Sequence, residues 1–120
     1  MALIIGRYTG LRISEVLALK KSDFDLKSNQ MTVQRRIEYR DLKSKEIHLT
    51  DRLKTKSSKC TVEISQLLSS YLQEWFEYNP HEFVICKGNG ELIHPITFQD
   101  RISKTSKKLG IDFHYHMLLN

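Results

Sequence analysis

Arg12 stands two residues after Gly10 and three before Glu15, at the start of an apolar-rich stretch. An arginine beside a glycine turn at a helix start is held rigidly, and its planar fork can grip a phosphate through two parallel hydrogen bonds. The plainer alternative makes Arg12 a surface residue with Glu15 as its i+3 ion-pair partner. A second group, Lys54 and Lys56, lies two residues apart in a Lys/Ser-rich turn that ends at Lys59. Side chains at i and i+2 share one face of a strand; the plainer alternative is a charged hairpin tip that discourages edge pairing. A third group, His114 and His116, has strand spacing for chelation, but no third ligand lies nearby in sequence, so a metal site is not expected. Gly88-Asn89-Gly90 is too short to cradle a phosphate, and no GxSxG elbow accompanies the serines.

These residues belong to a chain of 120 residues, 40% hydrophobic and 28% charged, which describes one globular domain. Its net charge of +5 favours a polyanionic partner, with nucleic acid first. Between Gln34 and Lys59 there are nine basic and four acidic residues, while the rest of the chain carries ten of each. The whole excess therefore sits in the middle of the chain. Cys60 and Cys86, separated by 25 residues without CxxC or Cys/His ligand spacing, argue against a disulfide framework or zinc ribbon and fit a reducing compartment, the cytoplasm. No apolar run approaches the ~18 residues of a membrane span, and no signal-peptide pattern opens the chain.

The elements that must position these residues follow from periodicity. Ala2 to Tyr8 reads as the end of a helix broken at Thr9-Gly10, and Leu11 to Leu19 as a short amphipathic helix that Ser22-Asp23 ends. Met31 to Ile37 alternates as one strand, with Met31 and Val33 on one side, an alternation that would extend to Arg35, and Thr32 and Gln34 on the other. Ile47 to Leu53 and Cys60 to Ile64 read as an antiparallel hairpin whose tip is the Lys/Ser cluster. Leu67, Leu68, Tyr71, Leu72, Trp75 and Phe76 mark a helix capped by Ser65 and stopped before Pro80. Phe83 to Cys86 reads as a short buried strand. Thr97 reads as the cap of a last helix, with Phe98, Ile102 and Leu109 inward and Gly110 at its end. The expected class is α+β, with helices packed around a small three-stranded antiparallel sheet.

The run Thr9-Gly10-Leu11-Arg12-Ile13-Ser14-Glu15-Val16-Leu17-Ala18-Leu19, followed by Asp23, resembles the first box of the tyrosine recombinase (phage integrase) family. That resemblance implies that Gly10 makes the turn, that Arg12 points into a catalytic site, and that Glu15 supports the arginine network. Leu53 to Val62 looks like the family's β-hairpin, whose lysine protonates the departing 5′ oxygen of DNA. Lys54 aligns best with that lysine and Lys56 competes with it. A lysine whose pKa is lowered by neighbouring cations suits that role. Gly110 to Leu118 looks like the approach to the second box, with His116 as its histidine and His114 as runner-up. Double-stranded DNA is the implied partner, contacted by Arg35, Arg36, Lys56 and Lys59. The family reaction needs no metal or nucleotide, because a tyrosine attacks the phosphate and stores the bond as a 3′-phosphotyrosine linkage.

The sequence also departs from the pattern. Leu119 and Asn120 stand where the second box has an arginine and, next to it, a histidine, and none of Tyr8, Tyr39, Tyr71, Tyr78 or Tyr115 stands where the nucleophile belongs. The resemblance therefore implies a partial catalytic domain over residues 1–120, without the upstream core-binding domain or the C-terminal tyrosine segment, truncated at both ends. Such a chain is expected to bind DNA without cleaving it unless a partner chain supplies the tyrosine, and to self-associate through apolar surface. A competing reading takes Arg12 to Phe24 as half of a helix-turn-helix in a small non-catalytic DNA-binding regulator.

Overall fold

The computed structural model describes residues 1–50 and 60–110. Helix α1 (Ala2–Thr9) buries Ala2, Ile5 and Gly6 and ends on Gly10, whose φ of 71° is open to glycine at little cost and whose N–H bonds back to the Gly6 carbonyl. Helix α2 follows at once, but it is a single turn, Ile13–Val16, rather than the longer helix that the apolar pattern predicts. The reason lies downstream. The backbone from Leu19 to Lys21 is extended and pairs with 82–84, through Lys21 N–H to the Glu82 carbonyl (2.9 Å) and Val84 N–H to the Leu19 carbonyl (3.0 Å). Those ladder bonds replace further helical ones, and they account for the buried run at Val84 and Ile85.

A 3-10 turn (Lys21–Asp23) leads into strand β1 (Phe24–Asp25), then β2 (Gln30–Val33), β3 (Arg36–Glu38), β4 (His48–Thr50) and β5 (Cys60–Glu63). Among the described residues these make two small antiparallel sheets, β1-β2-β5 and β3-β4. The predicted single strand over 31–37 is thus two strands. Gln34 and Arg35 break it because both side chains turn to the Asp23 carboxylate, and the chain passes from one sheet to the other at that point. Of the predicted hairpin 47–53/60–64, the described strands pair elsewhere, β4 with β3 (Ile37 opposite Leu49) and β5 with β2 (Met31 opposite Val62), while the rest of its first strand, 51–53, falls outside the described residues. The tip between them, 51–59, lies outside the described residues.

Helix α3 (Gln66–Tyr78) starts on Ser65, whose Oγ accepts the Leu68 N–H at 3.0 Å. Leu68 and Leu72 are fully buried, whereas Leu67, Tyr71 and Tyr78 lie exposed, so the apolar pairs at i and i+1 straddle the edge of the core. Trp75, half-buried, donates from Nε1 to the Val84 carbonyl at 2.7 Å. Helix α4 (Pro95–Lys108) begins three residues earlier than predicted, capped by His94 rather than Thr97, with Pro95 in the first position that proline favours. It ends at Gly110, as predicted, but Leu109 is 70% exposed rather than inward. The core joins α1, α2 and α3 to the inner faces of both sheets through Ile5, Val16, Leu17, Met31, Ile37, Leu68, Leu72 and Val84.

The C-terminus of α3 is closed from outside the helix. Lys21 Nζ donates to the Phe76 carbonyl (3.2 Å) and to the Asn79 carbonyl, and lies over the Phe76 ring at 5.7 Å. A cation on the last carbonyls of a helix satisfies orphan acceptors and favours the dipole. Lys21→Met should therefore lower stability by about 1–2 kcal/mol, seen as a lower urea midpoint with an unchanged slope. Nearby, burial pushes the Cys86 thiol above its ordinary range, an effect partly offset by the charge of Lys21. A raised value means less thiolate at a given pH. At pH 8, Cys86 in the folded chain should be alkylated more slowly than in urea, with a rate that climbs as the pH passes above the ordinary thiol range. Peptide mass spectrometry distinguishes it from Cys60, and equal rates would contradict the assignment.

Candidate functional site

Arg12 is the N-cap residue of α2, exposed, with extended backbone (φ −70°, ψ 154°). Gly10 reverses the chain just before it, and the fully buried Val16 and Leu17 hold the turn just after it. The Glu15 carboxylate accepts the backbone N–H of Arg12 at 3.1 Å. Glu15 thus acts on the main chain of Arg12, and no Arg12–Glu15 ion pair exists among the described residues. The guanidinium has no acceptor among those residues. A rigidly placed backbone with an unengaged fork is what phosphate recognition requires.

Helix α2, of which Arg12 is the N-cap, packs on β3, the strand that carries Arg36. Arg36 is half-buried and pairs with Glu38 across 3.1 Å on the same strand. Arg35 is placed differently. Its Nη1 reaches Asp23 Oδ2 at 2.6 Å and the Ala18 carbonyl at 3.4 Å, and its side chain is only 18% exposed. The alternation of Met31 and Val33 stops at Val33, and Arg35, like Gln34, turns to the Asp23 carboxylate, whose side chain is 1% exposed. Asp23 also accepts from Gln34 Nε2 (2.6 Å) and from the Lys20 N–H (2.8 Å). This anchor ties the segment after α2 to the β2–β3 junction, and periodicity alone does not reveal it. Its only signals in the sequence are Asp23 behind the Arg12 motif and an alternation that would extend to Arg35.

Lys54, Lys56, Lys59, His114 and His116 lie outside the described residues. Among the described ones, no group of three or more His, Cys, Asp or Glu side chains could hold a metal ion. No described helix is long and apolar enough to cross a membrane. The segment 12–24 is a one-turn helix, a 3-10 turn and a strand, so it lacks the second helix that a helix-turn-helix needs.

A sequence profile described as the phage integrase family matches residues 1–118. The chain belongs to the phage integrase family. This integrase-family chain also resembles solved structures of the Tn1549 transposon integrase, one in complex with transposon right end DNA (18% identity, TM-score 0.81) and one in complex with circular intermediate DNA (18% identity, TM-score 0.82). XerA recombinase is a third (19% identity, TM-score 0.69). Each match covers 98% of this integrase-family chain, which spans 42%, 43% and 39% of those three chains respectively. No curated protein matches it. The shared fold is mixed α and β with small antiparallel sheets, the architecture of a tyrosine recombinase catalytic domain.

Proposed function

We propose that this chain is the phosphate-gripping part of a site-specific tyrosine recombinase and that it binds double-stranded DNA in the cytoplasm. One observation supports the reading: Arg12, at the position of the family's first box, has its backbone held by Gly10 and Glu15, while its guanidinium has no acceptor among the described residues. The Tn1549 integrase was solved on DNA, and the same partner is proposed here. In the family reaction a tyrosine oxygen attacks the scissile phosphorus, a 3′-phosphotyrosine bond forms, and the 5′ oxygen leaves with a proton. Arg12 would hold two phosphoryl oxygens as negative charge grows on them. Lys54, with Lys56 as the competing choice, would donate the proton to the leaving oxygen, and His116, or else His114, would hydrogen-bond the phosphate. Arg36, Lys56 and Lys59 would contact the flanking backbone. Arg35, proposed from sequence for the same role, is engaged by Asp23 and would act through the fold.

Leu119 occupies the place of the second-box arginine, so one charge-assisted donor pair is missing from that scheme. We therefore propose that this chain binds DNA without cleaving it. Fluorescence anisotropy with a labelled duplex tests the reading. Binding at low salt is expected, with log K falling against log salt by about 0.9 per phosphate contacted. No binding at low salt would overturn it.

A further inference from the structure

His94 is 8% exposed and bonded at both ring nitrogens. Nδ1 accepts the Ile96 N–H at 3.2 Å, which caps α4 and leaves the ring proton on Nε2. Nε2 in turn donates to the Leu42 carbonyl at 3.0 Å, across 52 residues of sequence. Tyr39 meets the same ring edge to face, with centroids 5.7 Å apart and planes at 73°. A helix cap needs one acceptor, which a serine or asparagine supplies. The second bond holds something else, the connection 39–47 between β3 and β4. Within it Leu42 N–H bonds to the Tyr39 carbonyl and Asp41 has a positive φ of 59°. Arg40, Lys43 and Lys45 stand exposed on either side of Leu42.

We propose that His94 is a positioning residue for DNA binding: it fixes the 39–47 connection so that Arg40, Lys43 and Lys45 meet backbone phosphates as a set. The proposal rests on the reading of this chain as a DNA-binding protein. Its physical basis is that a loop held before binding loses less conformational freedom on contact than one that must be ordered by the ligand. Among the described residues the other bonds of the connection are short-range, Lys43 N–H to Glu46 Oε1, Glu46 N–H to the Lys43 carbonyl and His48 Nδ1 to the Glu46 carbonyl (3.1 Å), so they shape its tip and its exit into β4, while His94 holds it to α4.

Two substitutions separate the two bonds. Asparagine places an acceptor where Nδ1 is and cannot reach Leu42, whereas glutamine places a donor at the distance of Nε2. His94→Asn should keep the α4 cap, speed amide exchange at Leu42 without DNA, and lower the salt slope of duplex binding by about 0.9 for every phosphate that the loosened loop no longer meets. His94→Gln should restore most of that slope. A purely structural role would lower the denaturation midpoint of both variants and leave their slopes equal to that of the parent chain. The triple variant Arg40→Ala/Lys43→Ala/Lys45→Ala, with His94 intact, covers the case in which neither variant folds; an unchanged slope there overturns the proposal. If the parent chain itself fails to bind duplex DNA, the DNA-binding reading falls and the proposal falls with it. Parent binding with an unchanged His94→Asn slope overturns the proposal alone.

Discussion

Asp23→Ala should lower the stability of the domain by about 3–5 kcal/mol, the usual cost of removing one partner from a buried ion pair. The size follows from what would be left behind. The Asp23 side chain is 1% exposed and accepts from Arg35, Gln34 and the Lys20 backbone. Without it, a mostly buried guanidinium, an amide and a main-chain N–H would face no carboxylate. A domain of this size commonly has about 5–15 kcal/mol in total, so the variant should unfold at a far lower urea concentration. Replacing both charges tests the cause: Asp23→Ala combined with Arg35→Met should be less unstable than the two single effects added together. A loss below about 1 kcal/mol for Asp23→Ala would mean that the pair does not hold the sheets in place.

The same pair shows why parts of the fold were legible and others were not. Local chemistry carried the turn at Gly10, the Ser65 cap and the end of α4 at Gly110, since each depends on residues a few positions apart. Strand pairing depends on distant partners. The described strands have two to four residues each, and alternation says which side chains face inward without saying which strand lies alongside. The break at Gln34-Arg35 needed knowledge of Asp23, and the shortness of α2 needed knowledge of 82–84. Threonine is the commoner cap, which favours Thr97 from sequence, while the His94 cap depends on a carbonyl that arrives from residue 42. For the site, Arg12 and Glu15 were legible from spacing, although Glu15 serves the Arg12 backbone rather than its guanidinium. A count of charges points Arg35 to an outside partner, because it does not say which charges are already neutralised within the fold.

Arg12→Ala carries the second large effect, and it falls on binding rather than on stability. Because the guanidinium has no partner among the described residues, its removal should leave the denaturation midpoint nearly unchanged. A charge-assisted contact of this kind is worth about 1.5–3 kcal/mol, which corresponds to about 10- to 150-fold in affinity. Arg12→Lys should recover only part of that, because a lysine presents a point charge in place of a fork. Glu15→Gln should have a smaller effect, since a glutamine oxygen can still accept the Arg12 N–H. The decisive measurement is the salt dependence of duplex DNA binding by the parent chain and by Arg12→Ala in parallel. Arg12→Ala should bind at least about tenfold more weakly, with a slope reduced by about 0.9, the value of a single phosphate, and with the fold intact. Equal affinity and equal slope for the two proteins would contradict the role assigned to Arg12.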